Sequence, residues 1–154
     1  MNTSPFGFGI VGTGMIAGVF AAAIARSKNS RLTAVSSRRL ENAMGFVADR
    51  PGAEAVEGWE NLLLRPDVDA VYIAVPTVAK EEIALAAIAA GRHVLVEKPF
   101  VDQASVRRMT DAAAAKGLAF MDATHFVGRG KNRHSPLIAH DFLFPVFGPR
   151  QYPF

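Results

Sequence analysis

Up to about residue 127, short runs of β-branched and other apolar residues alternate with longer segments whose apolar positions recur every three to four residues. The short runs predict strands at 6–11, 32–36, 70–75, 93–96 and 119–123, and a weaker one at 53–56. The longer segments predict helices at 15–27, 40–49, 79–90 and 104–116, with a short turn at 59–64. Leu40, Ala43, Met44 and Val47 fall at i, i+3, i+4 and i+7, and Ile83, Ala86, Ala87 and Ala90 repeat that spacing, so each helix is expected to lay an apolar stripe on a sheet. Gly91 and Gly117 are placed to end two of the helices. Strand and helix in strict alternation predict an α/β fold, a doubly wound parallel sheet in a single domain over residues 1–127.

The pattern stops at Gly128. Residues 128–154 hold 4 of the 9 prolines and 4 of the 11 phenylalanines and sustain neither period, so they are expected to form an irregular tail with no domain of its own. Phe142, Phe144 and Phe147 make that tail a candidate for contact with a second copy, hence a possible homo-oligomer. The 154 residues, 50% hydrophobic, suffice for one full core and not for two complete domains.

Charge narrows the partners. The formal +3 comes entirely from the tail: residues 1–127 carry 13 basic and 13 acidic side chains, and residues 128–154 carry 4 and 1. A local excess at one end is not the basic face that nucleic acid requires, so no nucleic-acid partner is expected. Cysteine is absent, which removes disulfides, thiolate metal sites and cysteine nucleophiles. No basic segment followed by an apolar run opens the chain, and the apolar stretch 15–25 is too short to span a bilayer, so no membrane span and a cytoplasmic location are expected.

Candidate chemistry begins where the first strand meets the first helix, at Gly12-Thr13-Gly14-Met15-Ile16-Ala17. Gly12 permits a tight exit from the strand, Gly14 lets a pyrophosphate approach the backbone, and the amides of Gly14, Met15 and Ile16 face that phosphate with the helix dipole behind them. The bland alternative is a plain strand-to-helix turn. The second strand ends without the acidic residue that binds a ribose 2′-hydroxyl. It runs instead into Ser36-Ser37-Arg38-Arg39, whose hydroxyls and guanidinium groups suit a 2′-phosphate, or else form the solvated start of the next helix. The expected cofactor is therefore NADP, with NAD possible. Val75-Pro76 closes the strand at 70–75, either over a nicotinamide ribose or as a simple terminator.

Glu97-Lys98-Pro99 follows directly on the strand 93–96, at the carboxyl edge where open parallel sheets bind ligands. Lys98 is the candidate catalytic group: moving a hydride between a carbinol carbon and nicotinamide needs a group to take or give the hydroxyl proton. An exposed loop lysine is the competing reading. His125 ends the last strand on the same edge, where a buried structural histidine is the simpler account. His134, His140 and Asp141 lack a ligand spacing, so no metal site is expected. Neither G-x-x-x-x-G-K-[ST] nor G-x-S-x-G occurs.

Together, the glycine turn, the strand at 70–75 with Pro76, the helix ending Ala89-Ala90-Gly91 and the segment from His93 to Pro99 resemble the amino-terminal domain of the Gfo/Idh/MocA oxidoreductases, over residues 5–127. The resemblance implies a Rossmann-type NAD(P)-binding domain, hydride transfer on a sugar, polyol or related carbonyl compound, and a Lys98–Pro99 bond that is cis. It also implies the site residues: Gly12, Gly14, Met15 and Ile16 at the pyrophosphate, Ser37 and Arg38 at the adenosine ribose, Val75 and Pro76 on the nicotinamide side, Thr13 and Glu97 as further cofactor contacts, and Lys98 as the catalytic lysine and a cofactor contact.

Three departures accompany it. Lys80 stands where many relatives have a histidine, residues 128–132 do not resemble the linker to a second domain, and that substrate-binding domain is missing, with its D-x-x-x-H pair. Asp122 to His125 has the wrong spacing to replace the pair. The expectation is thus a truncated or frame-shifted relative that keeps the cofactor half. Its readings are an oxidoreductase completed by another chain, a non-catalytic NADP(H)-binding module, or a degenerate product that only self-associates.

Overall fold

A computed structural model describes residues 4–123. Six parallel strands, β1 (Phe6–Val11), β2 (Ser30–Ser37), β3 (Glu54–Glu57), β4 (Ala70–Ile73), β5 (His93–Val96) and β6 (Phe120–Asp122), alternate with five helices, α1 (Met15–Ala25), α2 (Leu40–Val47), α3 (Trp59–Leu63), α4 (Thr77–Ala89) and α5 (Gln103–Ala115). The sheet order is β3-β2-β1-β4-β5-β6. The chain winds outward from β1 to β3, returns to β4 beside β1, and winds out the other way, so the order reverses between β1 and β4. That reversal opens the crevice in which doubly wound sheets hold ligands, beyond the strands' carboxyl ends.

Both faces of the sheet are covered, and residues of the inner strands β1, β2, β4 and β5 alternate between two cores. Phe8 and Ile10 of β1, Tyr72 of β4 and Leu95 of β5 pack with Ala17, Phe20 and Ile24 of α1. Val11, Val71, Ile73, Val94 and Val96 pack on the opposite side with Leu62, Ile83, Ala87 and Met109 of α3, α4 and α5. Each such aliphatic side chain, when fully buried, contributes roughly 1.5–3 kcal/mol. The Phe20 and Tyr72 rings stack at 3.9 Å between centroids, 20° from parallel.

The strands agree with the sequence pattern, and their ends show what periodicity alone misses. β2 begins at Ser30, because Phe6 pairs with Ser30 and Gly7 with Arg31 through backbone bonds that need no apolar side chains. The register shifts at Phe8/Gly9, and there the Thr33 hydroxyl donates to the Phe8 carbonyl at 3.1 Å. α2 corrects an expectation. Of its apolar stripe only Ala43 is buried and Val47 half-buried, while Leu40 and Met44 stay exposed.

Helix ends follow capping chemistry. Asp102 caps α5 by accepting from the Ser105 amide at 2.7 Å. α4 and α5 close with Gly91 and Gly117 at φ +77° and +65°; Arg92 then donates its amide to the Ala87 carbonyl and Leu118 to that of Ala113, both at 2.9 Å.

Candidate functional site

The glycine turn is fixed by the neighbouring strand. Gly12 has φ +113°, and a Cβ there would lie 2.2 Å from the Ala74 carbonyl oxygen and 3.6 Å from Val75. The ends of β1 and β4 thus approach so closely that only glycine fits. Gly14 differs in kind: it is the N-cap of α1 in an extended conformation (φ −76°), and a Cβ there would meet nothing within 4 Å. The protein itself does not demand glycine at 14; the space is open to whatever approaches from outside. Ala17 is fully buried beneath, where α1 meets the sheet, and Gly14, Met15 and Ile16 are exposed. The first amides of a helix have no intrahelical acceptor, so this exposed turn is suited to an anion.

At the end of β2, Ser37 is half-buried and its carbonyl accepts from the Gly58 amide at 2.8 Å. Arg38 is exposed, and no ion pair or side-chain hydrogen bond engages it among the described residues. Arg39 is the N-cap residue of α2, 3.9 Å from Glu41 on the surface. Ser36 corrects the sequence reading. It faces inward with Ala34, its side chain fully buried, so its hydroxyl is not available to an external phosphate. Arg92 is also structural: its guanidinium donates to the Leu63, Arg65 and Val68 carbonyls around the end of α3.

The other wall is built by the loops after β4 and β5. Val75 is half-buried, and Pro76 is exposed as the N-cap of α4, so the helix starts at Thr77, two residues before the apolar periodicity indicates. The Glu97 amide donates to the Ile73 carbonyl at 3.0 Å, extending the β4–β5 pairing past the strand. The Glu97 carboxylate accepts from the Tyr72 hydroxyl at 2.5 Å. Burial, and then the Glu97 carboxylate, push the Tyr72 phenol far above its ordinary value, so it remains a donor. Lys98 is exposed beside this pair, and the Lys98–Pro99 bond is cis, as the resemblance implies.

Sequence reasoning noted Lys80 only as a departure, and the structure brings it into this wall. It is 3% exposed, and its Nζ donates to the Pro99 carbonyl at 2.9 Å. Desolvation lowers its pKa; Glu97 counteracts that shift and the Lys98 charge reinforces it. A signal for its burial exists, since Lys80 lies three and four residues before Ile83 and Ala84 on the buried stripe of α4. His125, His134, His140, Asp141 and the tail phenylalanines lie outside the described residues. No group of three or more potential metal ligands occurs among the described residues, and no described helix is long and apolar enough to cross a membrane.

A doubly wound sheet with a glycine turn at its point of reversal defines a dinucleotide-binding type of domain. The family model for the oxidoreductase family with NAD-binding Rossmann fold, Gfo/Idh/MocA, matches residues 6–124, and the chain belongs to that family. It is 37% identical over 134 residues to dTDP-3,4-didehydro-2,6-dideoxy-alpha-D-glucose 3-reductase of Actinomadura kijaniata, covering 86% of this chain and 40% of that protein. To the NADP(+)-dependent scyllo-inositol 2-dehydrogenase of Bacillus subtilis it is 37% identical, covering 75% of this chain and 36% of the relative. Among solved structures, a 3-ketoreductase from Actinomadura kijaniata in complex with NADP superposes with a TM-score of 0.75 at 35% identity, over 94% of this chain and 44% of that one. A protein of gentamicin A biosynthesis in complex with NAD gives a TM-score of 0.77 at 30% identity, over 83% of this chain and 37% of its own. The chain therefore spans well under half the length of these relatives.

Proposed function

We propose that this chain binds NADP along the carboxyl edge of the sheet and forms the cofactor half of an oxidoreductase acting on a sugar-like or polyol substrate. The observation that carries the reading is Gly14, where a side chain would meet only open space at the exposed amino end of α1. Gly12, Thr13, Gly14, Met15 and Ile16 would hold the pyrophosphate, Ser37 and Arg38 the adenosine ribose and its 2′-phosphate, and Val75, Pro76 and Glu97 the nicotinamide side. The residues fit the group: the helix amino end and the unengaged Arg38 guanidinium both favour anions.

Bound NADP supplies the hydride-carrying ring. Lys98 then handles the proton of the substrate hydroxyl and, as a cation, polarises a carbonyl oxygen. Glu97, tied to Tyr72, anchors the segment from which Lys98 projects. The relatives are more than twice as long as their matched part, which favours a second reading, a domain that binds the coenzyme without turnover by itself.

Trp59, the single tryptophan, begins α3 immediately after Gly58, whose amide is bonded to Ser37. Energy transfer from Trp59 to NADPH, with calorimetry as control, therefore tests the binding step. Saturable binding that prefers NADPH to NADH supports the proposal, and its absence refutes it. Turnover across a polyol and sugar panel that disappears in Lys98→Ala supports the enzyme; binding without turnover supports the second reading.

A further inference from the structure

Lys80 occupies a place that packing does not explain. It shares the buried face of α4 with Ile83, Ala84, Ala87 and Ile88, and burial disfavours its charged form. A methionine of similar volume would fill the same space without desolvating an ammonium. The first turns of a helix are also poor places for a cation, because the dipole is positive there.

What the amine reaches gives it a purpose. Helical side chains lean toward the helix amino end, and that of Lys80 crosses to the β5–α5 loop, where Nζ meets the Pro99 carbonyl at 2.9 Å. Thr77, one turn earlier, donates its hydroxyl to the same oxygen at 3.4 Å. One carbonyl of the loop is thus held twice from α4, immediately after Lys98. On the other side of Lys98, Glu97 is held by its amide to Ile73 and by its carboxylate to Tyr72.

We propose that Lys80 is a positioning residue for Lys98: by clamping the Pro99 carbonyl it fixes the far side of the turn from which the Lys98 amine projects. The inference rests on the reading of Lys98 as the proton-handling amine, yet the clamp is measurable without turnover. Hydrogen–deuterium exchange of the Glu97 amide, which donates to the Ile73 carbonyl at 3.0 Å immediately before Lys98, reads local opening of the turn. In Lys80→Met this amide exchanges about fivefold faster, the scale of one net hydrogen bond, while the bonded amides of Gly117 and Leu118 keep their rates. Lys80→Arg, which retains a charged donor, restores slow exchange; this rescue distinguishes a clamp from simple filling of space.

Unchanged exchange in a folded Lys80→Met protein overturns the proposal, as does faster exchange that Lys80→Arg fails to restore. Should Lys80→Met lose its cooperative thermal transition, Lys80→Gln, polar but too short to reach the Pro99 carbonyl as the lysine does, takes its place. Faster exchange confined to this turn then supports the clamp, and unchanged exchange overturns it. NADPH titration of the unaltered chain separates the two ideas, because failure to bind refutes the cofactor reading and leaves the exchange result standing.

Discussion

Tyr72 and Glu97 meet at the carboxyl ends of β4 and β5, and their contact follows from the parallel register. Tyr72 pairs with Leu95, so Glu97, two residues on, rises from the same face of the sheet directly beyond the tyrosine. The phenol is buried under Phe20 and donates to the carboxylate. Tyr72→Phe keeps the ring stack and deletes that donor. It should cost about 1–2 kcal/mol in denaturant unfolding, since hydrogen bonds to charged groups lie at the upper end of the net range. A change near zero would show that solvent already satisfies Glu97.

The two glycines of the first turn should separate folding from binding. Gly12→Ala places a methyl against the Ala74 carbonyl at a left-handed φ, which should destabilise the domain by roughly 2–4 kcal/mol. Gly14→Ala meets no protein atom and should leave the thermal transition within a degree or two, yet weaken NADPH binding by about tenfold or more. Equal stability loss in the two variants would contradict the geometry. Unaltered NADPH affinity in Gly14→Ala would contradict the placement of the pyrophosphate.

Much of this arrangement was legible in the sequence, and the remainder shows where the legibility ends. The unbroken apolar runs of β4 and β5, set between helical segments, announce a parallel sheet covered on both faces, and glycine with a following apolar helix announces the turn. The beginning of β2 was missed because Ser30 and Arg31 are held by ladder hydrogen bonds and not by burial. The start of α4 was missed because Pro76 caps it without a side-chain hydrogen bond, so no capping residue marks the spot. Lys98 was visible as a motif. The clamp on Pro99 was not, because its donor lies 19 residues upstream and lysine on a helix ordinarily reads as solvated. Ser36 failed for the opposite reason: hydroxyls at 36 and 37 look equivalent in sequence, but neighbouring residues on a strand face opposite sides.

Arg38 should decide between the two coenzymes. Its guanidinium is exposed at the end of β2 and unengaged among the described residues, so removing it disturbs no internal contact. Arg38→Ala should lower NADPH affinity about 10–100-fold, the range for losing a charge-assisted contact, and leave NADH affinity unchanged. Parallel calorimetric titrations with both coenzymes make the measurement. Equal losses for NADPH and NADH would move Arg38 away from the 2′-phosphate.

His93 should give the fold a pH dependence just below neutrality. Its Nδ1 accepts the Ala119 amide at 3.0 Å, joining the first residue of β5 to the approach to β6, and an imidazolium has no lone pair for that bond. Burial lowers its pKa below the ordinary 6.5, with Asp69 acting in the opposite sense. The folded state therefore takes up this proton less readily than the unfolded chain. The associated stability is fully present above about pH 6.5 and is lost as pH falls toward the lower folded value. His93→Asn retains an acceptor that does not titrate, so its melting temperature should fall less than that of the unaltered chain between about pH 7.5 and pH 5.5. Calorimetric melts across that interval test this directly, and parallel declines in the two proteins would place the titrating group elsewhere.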